Sequence, residues 1–225
     1  MTHVTPMLAN ILVENFHKGG PIMWPILVVS IVAVGVVAER AMWWIRERTK
    51  RDPVRLERVL AALEAGDFES AARESKPSED PVVRMIYHGL SHVHSSMQGA
   101  LQVAAGVELQ KAGRFLMAMD TLITLAPLLG LLGTVTGIMS SFSFVGNAEL
   151  GVSKVSGGIG EALIATACGL GIAIFTLIPF NFFTGKVSKL QFELETAATN
   201  VEVLVTSAKT RGFDTQVFRK TTAEL

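Results

Sequence analysis

Three long stretches of the sequence contain no charged side chain, and they limit the possible folds more than any other feature. They are residues 19–38, 121–148 and 162–185. Each is long enough for a helix to cross a bilayer, which takes about 20 residues at a rise of about 1.5 Å each. A soluble protein rarely leaves three such windows without charge, so the pattern predicts an integral membrane protein.

The remaining composition argues against several other classes of protein. Twenty basic and twenty acidic residues balance, so the chain offers no general basic surface for nucleic acid. Cys168 is the only cysteine, which leaves no disulfide framework and no thiolate metal site. Residues 1–10 lack the basic region of a secretory signal, so we expect the apolar run that begins near Pro21 to be a retained span.

Charged and aromatic residues around the windows indicate how the chain crosses the membrane. Basic residues cluster after the first window and follow the third, whereas the loop at Gly146–Ser156 has one lysine and one glutamate. The positive-inside bias therefore predicts that residues 45–120 and the C-terminus are cytoplasmic and that the N-terminus is periplasmic. All tryptophans of the chain fall at predicted membrane interfaces: Trp24, Trp43 and Trp44.

The sequence thus predicts an all-α integral membrane protein with three transmembrane helices, two of which extend into a cytoplasmic helical bundle. In the N-terminal segment, an apolar face within Met7–Phe16 is typical of a helix lying at the membrane surface. The predicted parts are an interfacial periplasmic segment (1–20), a first transmembrane helix (21–44), a cytoplasmic helical domain (45–120), a second transmembrane helix (121–145), a periplasmic loop (146–157), a third transmembrane helix (158–183), and a cytoplasmic helix and tail (184–225).

Helix start signals subdivide the predicted cytoplasmic domain. Asp52-Pro53 and Asp80-Pro81 each combine a capping carboxylate with proline at the first helical position, and Gly66-Asp67 predicts a turn between two short helices. From about Met97 the helical pattern continues into the second span, which predicts one long unbroken helix. Val187–Val205 extends the third span with an apolar stripe, so the two extensions are expected to form a bundle.

Small residues and hydroxyls line both later spans. In the second span they recur every three or four residues and so share one stripe: Pro127, Gly130, Thr134, Gly137 and Ser141. Gly133 and Gly137 also form a GxxxG pair. In the third span one face carries Ala162, Thr166, Gly169 and Ala173. Helical rise places both threonines near the midplane, as one hydroxyl layer. The pattern fits either close packing, with Thr134 bonded back to its own helix, or a polar track.

Other ionisable residues have two interpretations each. Glu161 either caps the N-terminus of the third span or places an acidic group at a pore mouth. His88, His92 and His94 cluster, but no carboxylate or cysteine accompanies them at ligand spacing, so we expect a solvated face and no metal site. No span contains a His, Asp or Lys that could activate a nucleophile, so we expect neither an intramembrane enzyme nor a cofactor.

The later spans carry a resemblance to a known family. Residues Ala126–Phe142 read APLLGLLGTVTGIMSSF, and Gly158–Phe183 read GIGEALIATACGLGIAIFTLIPFNFF. Together they closely resemble the core of the MotA/TolQ/ExbB proton-channel family. Weaker similarity extends to Gly19-Gly20-Pro21, to Met23-Trp24-Pro25, and to Glu39-Arg40 at the cytoplasmic interface of the first span. The predicted three spans and outer N-terminus are those of the ExbB and TolQ branch.

This resemblance implies a function and a set of partners. The family implies a homopentamer in the bacterial inner membrane, around the helices of an ExbD- or TolR-like dimer whose single span carries a proton-binding aspartate. It also implies that Thr134 and Thr166 line the pore, that Glu161 acts near its mouth, and that a TonB- or TolA-like protein receives the motion. The competing hypothesis is a helical membrane scaffold for envelope proteins that does not conduct.

Three positions depart from the family pattern. Thr136 stands where many relatives have tryptophan, Gly157 replaces a proline before the third span, and the proline of that span falls late, at Pro179. These changes leave the expected threonine positions intact. They affect how the third helix enters the membrane and where it bends.

Overall fold

Every regular element in the described part of the chain is an α-helix, as the sequence predicts. The computed structural model describes residues 16, 19–76, 78–93, 96–143 and 151–211, with the backbone alone at 151–154. Within these ranges the helices are α1 (Met23–Arg48), α2 (Pro53–Glu64), α3 (Phe68–Ser75), α4 (Pro81–Ser91), α5 (Met97–Ala112), α6 (Leu116–Phe142) and α7 (Gly151–Thr210). The predicted surface helix within Met7–Phe16 lies outside the described residues, apart from Phe16.

Among the described residues, three helical stretches are long and apolar enough to cross a membrane, which confirms the predicted number of spans. They are Met23–Arg48, Met97–Phe142 and Val155–Thr210. Many of their apolar side chains lie on the surface of the single chain, among them Trp24, Leu128, Leu163 and Ile174. Such surfaces suit a bilayer, where lipid tails cover apolar side chains as well as protein does.

The expectation of one unbroken helix from Met97 into the second span was wrong. The chain leaves the helical conformation at Gly113 and resumes it at Leu116, and the intervening Phe115 has φ 64°. Helices often end at glycine, because glycine has a lower helix propensity than every residue except proline. The hydrophobic pattern shows which face a residue occupies but not its φ angle, so it could not reveal this break.

The third apolar helix begins earlier than the sequence suggested. Gly151 is its first residue, rather than Gly158, so residues 151–157 of the predicted loop are helical. Glycine and β-branched residues in this segment have low helix propensity. Extending an existing helix adds one hydrogen bond for each residue fixed. A segment of low helix propensity can therefore be helical when it continues an adjoining helix.

The chain forms two compact units. Unit 1 comprises residues 1–41 and 115–182, and unit 2 comprises residues 42–114 and 183–225. Unit 1 contains only eight of the forty charged residues. The apolar windows therefore belong to unit 1, and unit 2 has the charged surface expected of a domain in water.

Unit 2 is built from capped helices around one apolar core. The predicted helix starts are confirmed, since Asp52, Asp67 and Asp80 each accept a backbone N–H from the first turn of the helix that follows. The backbone hydrogen bond from Ser70 holds the pKa of the Asp67 carboxyl below its usual range. The core includes buried side chains from five helices: Val59, Leu63, Phe68, Met85, Ile86, Leu90, Leu101, Leu194 and Val201.

Asp80 makes more contacts than the other caps of unit 2. It is 3 % exposed, and its Oδ1 accepts the N–H of Val82 at 2.8 Å. Its Oδ2 accepts the N–H of Asp52 at 2.9 Å, so it ties the start of α4 to the start of α2. Arg51 Nη1 lies 3.6 Å from Oδ1 and supplies the opposite charge that a buried carboxylate needs.

In unit 1, α6 and α7 approach each other along a line of glycines that we call the glycine seam: Gly130, Gly133, Gly137, Gly158 and Gly169. A Cβ on Gly130 would lie 2.9 Å from the Cα of Thr166, and one on Gly137 would lie 3.0 Å from the Cβ of Ala162. A Cβ on Gly169 would collide with the carbonyl oxygen of Ala126. Rising numbers on α6 meet falling numbers on α7, so the two helices run antiparallel.

A substitution in the glycine seam tests this contact. We expect Gly130→Ala to lower the stability of the protein by about 1–3 kcal/mol, because the added methyl meets backbone atoms of α7 that cannot rotate away. The measurement is the thermal unfolding midpoint in detergent. Gly171→Ala is the matched control, since nothing lies within 4 Å of a Cβ at that position of α7. Equal midpoints for the two variants would contradict a tight seam.

A second substitution tests the shared cap in unit 2. We expect Asp80→Ala to cost about 2 kcal/mol or more, because it removes one helix cap and leaves the Asp52 N–H without its acceptor. Asp67→Ala removes an exposed cap with one partner helix and serves as the comparison. Denaturant unfolding followed by circular dichroism reports both. A smaller loss for Asp80→Ala than for Asp67→Ala would rule out the tie between α2 and α4.

Candidate functional site

Thr166 lies on α7 at the edge of the glycine seam. Its side chain is half-buried, and its Oγ1 donates a hydrogen bond to the carbonyl oxygen of Gly130 at 2.8 Å. Gly130 has no side chain to cover this carbonyl, so a hydroxyl on the neighbouring helix can reach it. The hydroxyl of Thr166 is therefore fixed in position by the contact between α6 and α7.

Thr134 lies on α6 beside the same seam and is also half-buried. Its Oγ1 donates to the carbonyl oxygen of Leu131 in its own helix at 2.7 Å. This is the back-bonded arrangement that the sequence left open. The hydroxyl oxygen keeps lone pairs that can accept a further hydrogen bond from water or from a partner.

The two threonine hydroxyls lie at nearly the same depth. Thr166 Oγ1 donates to the carbonyl oxygen of Gly130 and Thr134 Oγ1 to that of Leu131, and the carbonyls of consecutive helical residues are about 1.5 Å apart along the axis. The expected depth of Thr166 assumed a helix start at Gly158, whereas α7 starts at Gly151. The direct contact across the seam therefore replaces that estimate and places the two hydroxyls within one helical turn of each other along the axis.

Within the described residues, the apolar stretches that carry the threonines contain no carboxylic acid that could carry a proton. Hydroxyls can pass hydrogen bonds along a water chain, but they do not store a proton at neutral pH. In the described stretches 121–142 and 162–183, Cys168 is the only titratable side chain. Among all described residues, no group of three or more His, Cys, Asp or Glu side chains lies together.

Glu161 does not cap its own helix, because it lies ten residues after the start of α7. Its carboxylate lies instead against Gly20, where a Cβ would collide with Oε1. Gly20 has φ +71°, a conformation that glycine adopts without strain. The carboxylate thus lies beside the first turn of α1, where the helix dipole favours a negative charge.

Arg40 and Glu39 form a compact pair near the other end of α1. Arg40 is 1 % exposed, and its Nε and Nη2 donate to the two carboxylate oxygens of Glu39 at 2.6 and 2.8 Å. The guanidinium carbon lies 5.6 Å from the ring centroid of Phe115. A buried guanidinium needs such partners, because removal from water is costly for a charge.

The structure adds one polar residue that the sequence did not single out. Thr176 is 0 % exposed, and its Oγ1 donates to the carbonyl oxygen of Ile172 at 2.8 Å. It follows Ala173 by three residues and so continues the small-residue face of the third span. Extending that periodicity by one step would have found it.

Comparisons with known proteins place the chain among transport proteins. It is 32 % identical to putative biopolymer transport protein ExbB-like 1 of Synechocystis sp. over 201 residues, covering 86 % of this chain and 78 % of the relative. It is 35 % identical to ExbB-like 3 of the same organism over 171 residues, covering 73 % and 81 %. It is 33 % identical to the Tol-Pal system protein TolQ of Pseudomonas aeruginosa over 133 residues, covering 59 % and 54 %.

A comparison with family patterns agrees with these relatives. The MotA/TolQ/ExbB proton channel family matches residues 77–196, which is more than half of the chain. The matched region contains the glycine seam, both threonines and Glu161. The match also agrees with the three membrane-spanning helices and the all-helical fold. The chain is a multi-pass membrane protein that belongs to the MotA/TolQ/ExbB proton channel family.

Proposed function

We propose that the chain is a proton-channel subunit of a motor in the bacterial inner membrane that is driven by the proton-motive force. The observation that carries this proposal is the pair of hydroxyls at the glycine seam, in apolar helices that lack an acid of their own. A pathway of this kind needs a proton carrier from another chain. Membership of a proton channel family supports the proton as the conducted ion.

The carrier in this proposal is an ExbD- or TolR-like protein with a single span and an intramembrane aspartate. Several copies of the chain, five by analogy with the family, enclose the partner's helices. Each proton crossing 100 mV supplies about 2.3 kcal/mol, which is enough for one or a few protons to drive a conformational step. A TonB- or TolA-like protein then passes the motion to the outer membrane.

The topology follows from the distribution of charge. The N-terminus and the segment before α7 are placed in the periplasm, and unit 2 and the C-terminus are placed in the cytoplasm. In this arrangement Glu161 lies toward the periplasmic side and Arg40 toward the cytoplasmic side of unit 1. Protons flowing inward would pass the level of Glu161 before they reach the threonines.

A non-conducting scaffold is the second candidate, and one observation favours it. Both threonine hydroxyls already donate to backbone carbonyls, as they would if their only role were to hold helices together. The two candidates differ in what they require of the hydroxyl oxygen. A scaffold needs only the shape of the side chain and its donor, whereas a conducting path also needs the oxygen to accept a hydrogen bond.

Valine replacements separate these two roles. We expect Thr134→Val and Thr166→Val to reduce proton flux into vesicles containing the purified chain and its partner by about tenfold or more, while assembly survives. Valine keeps the shape of threonine and removes the hydroxyl. Thr166→Ser should retain most of the flux, because serine keeps the hydroxyl, both as donor to Gly130 and as acceptor.

The control for this experiment is Thr136→Val. Thr136 bonds back to Leu132 at 2.9 Å and is exposed on α6, so it shares the chemistry of Thr134 but lies away from the seam. Normal flux in both seam variants, measured alongside this control, would favour the scaffold. Lost assembly in both would also favour a packing role.

A double-mutant cycle tests the contact between Glu161 and Gly20. We expect Gly20→Ala to reduce flux strongly in the wild-type background, because the methyl displaces the carboxylate. In a Glu161→Ala background the same change adds only backbone strain, on the order of 1 kcal/mol. The loss of flux in the double variant should therefore be smaller than the sum of the losses in the two single variants. Gly35→Ala is the control, since a Cβ there meets nothing; strictly additive losses would show that the two residues act separately.

A further inference from the structure

A groove on the surface of unit 2 lies between α4 and α5. Its volume is 660 Å³. The α4 wall carries Arg84, His88 and His92 at intervals of one helical turn, and the α5 wall includes Val103 and Val107. Gly89 allows α5 to pack close to α4 at this point, because a Cβ on Gly89 would collide with the side chain of Leu101. We call this surface the α4–α5 groove.

The α4–α5 groove combines exposed apolar side chains with a positive edge. Val103 is 70 % exposed and Val107 is 44 % exposed. Arg84 and Lys111 both pair with the buried carboxylate of Glu108, at 2.7 and 3.0 Å. The charged residues that line the groove are Arg84, Lys111 and Glu108, so the lining carries a formal net charge of +1. In the proposed topology unit 2 lies in water, where lipid cannot cover these valines. Exposed apolar side chains on such a domain indicate a surface that binds a partner.

A second exposed surface on unit 2 has the opposite charge. Phe192 is 69 % exposed and Val203 is 57 % exposed, and both project from the side of α7 opposite its buried stripe. Glu195 and Glu202 lie along one flank of this surface. No cation of the described residues forms a salt bridge with either glutamate. We call this surface the α7 ridge.

We propose that the α4–α5 groove of one copy of the chain binds the α7 ridge of the next copy. The α7 ridge covers 12 residues, Phe192–Val203, and the α5 wall of the groove covers 13, Gly99–Lys111. Their lengths, about 17 and 18 Å, are similar. The apolar residues then cover one another, and the glutamates approach the positive edge.

A second copy is the occupant because both halves of the contact belong to this chain. The groove and the ridge are different surfaces, so the contact runs head to tail and can close into a ring. A contact of each surface with itself would oppose like charges. The proposal rests on the ring proposed above and deepens it by naming the surfaces that join neighbouring subunits outside the apolar helices.

Cysteine cross-linking tests the pairing of the two surfaces. In a Cys168→Ser background, Val103→Cys is combined with Phe192→Cys or with Val203→Cys, one for each direction in which the ridge can enter. We expect oxidation in membranes to give a ladder of covalent oligomers for one of these pairs. Single variants should give no ladder, and neither should Val203→Cys with Val54→Cys, whose side chain is 61 % exposed on α2. Absence of a ladder from both test pairs would overturn the pairing.

Charge reversal provides a second, independent measurement. We expect Glu195→Lys with Glu202→Lys to raise the concentration for half-maximal assembly about tenfold, measured by native mass spectrometry in detergent. Glu57→Lys with Glu64→Lys is the matched control, because these glutamates are likewise seven residues apart, but on α2. Normal assembly of the first variant without cross-links would overturn this interface and leave the ring standing. A wild-type chain that stays monomeric would overturn the ring itself.

Discussion

The close approach of α6 and α7 is the contact on which unit 1 depends. Lipid tails are as apolar as leucine, so helices in a bilayer gain little from burying large apolar side chains against each other. They gain from close van der Waals contact, and glycine permits that contact. At the glycine seam the backbone of one helix meets that of the other, and the hydroxyl of Thr166 reaches the carbonyl of Gly130 as a direct result.

The seam also explains why the candidate pathway contains hydroxyls and no acid. A carboxylate between two tightly packed apolar helices would lack both water and a counter-charge, and the cost would be several kcal/mol. A threonine can meet its hydrogen-bonding needs from the helix backbone, as both Thr134 and Thr166 do. A subunit that forms the wall of a proton path can therefore stay stable alone while another chain carries the ionisable group.

The sequence predicted those features that depend on composition or on local hydrogen bonds. Charge-free windows located the three apolar helices, and Asp-Pro pairs located the caps at Asp52 and Asp80. Features that depend on backbone angles or on distant contacts could not be predicted in this way. The break at Phe115 requires a φ angle that periodicity does not record. The contact of Glu161 with Gly20 joins residues 141 positions apart, and no local pattern connects them.

The same distant contacts give α1 a structural role that its apolar sequence does not suggest. Near its start the carboxylate of Glu161 lies against Gly20, and toward its other end Arg40 lies over the ring of Phe115. Between them Val29 and Ala33 pack on Leu122 and Ala126 of α6. Because Phe115 holds a left-handed backbone that costs about 1–2 kcal/mol, its contact with Arg40 helps to stabilise the point where α6 begins. Thus α1 contacts α7 near its start and α6 further along, so it packs against both helices that form the seam.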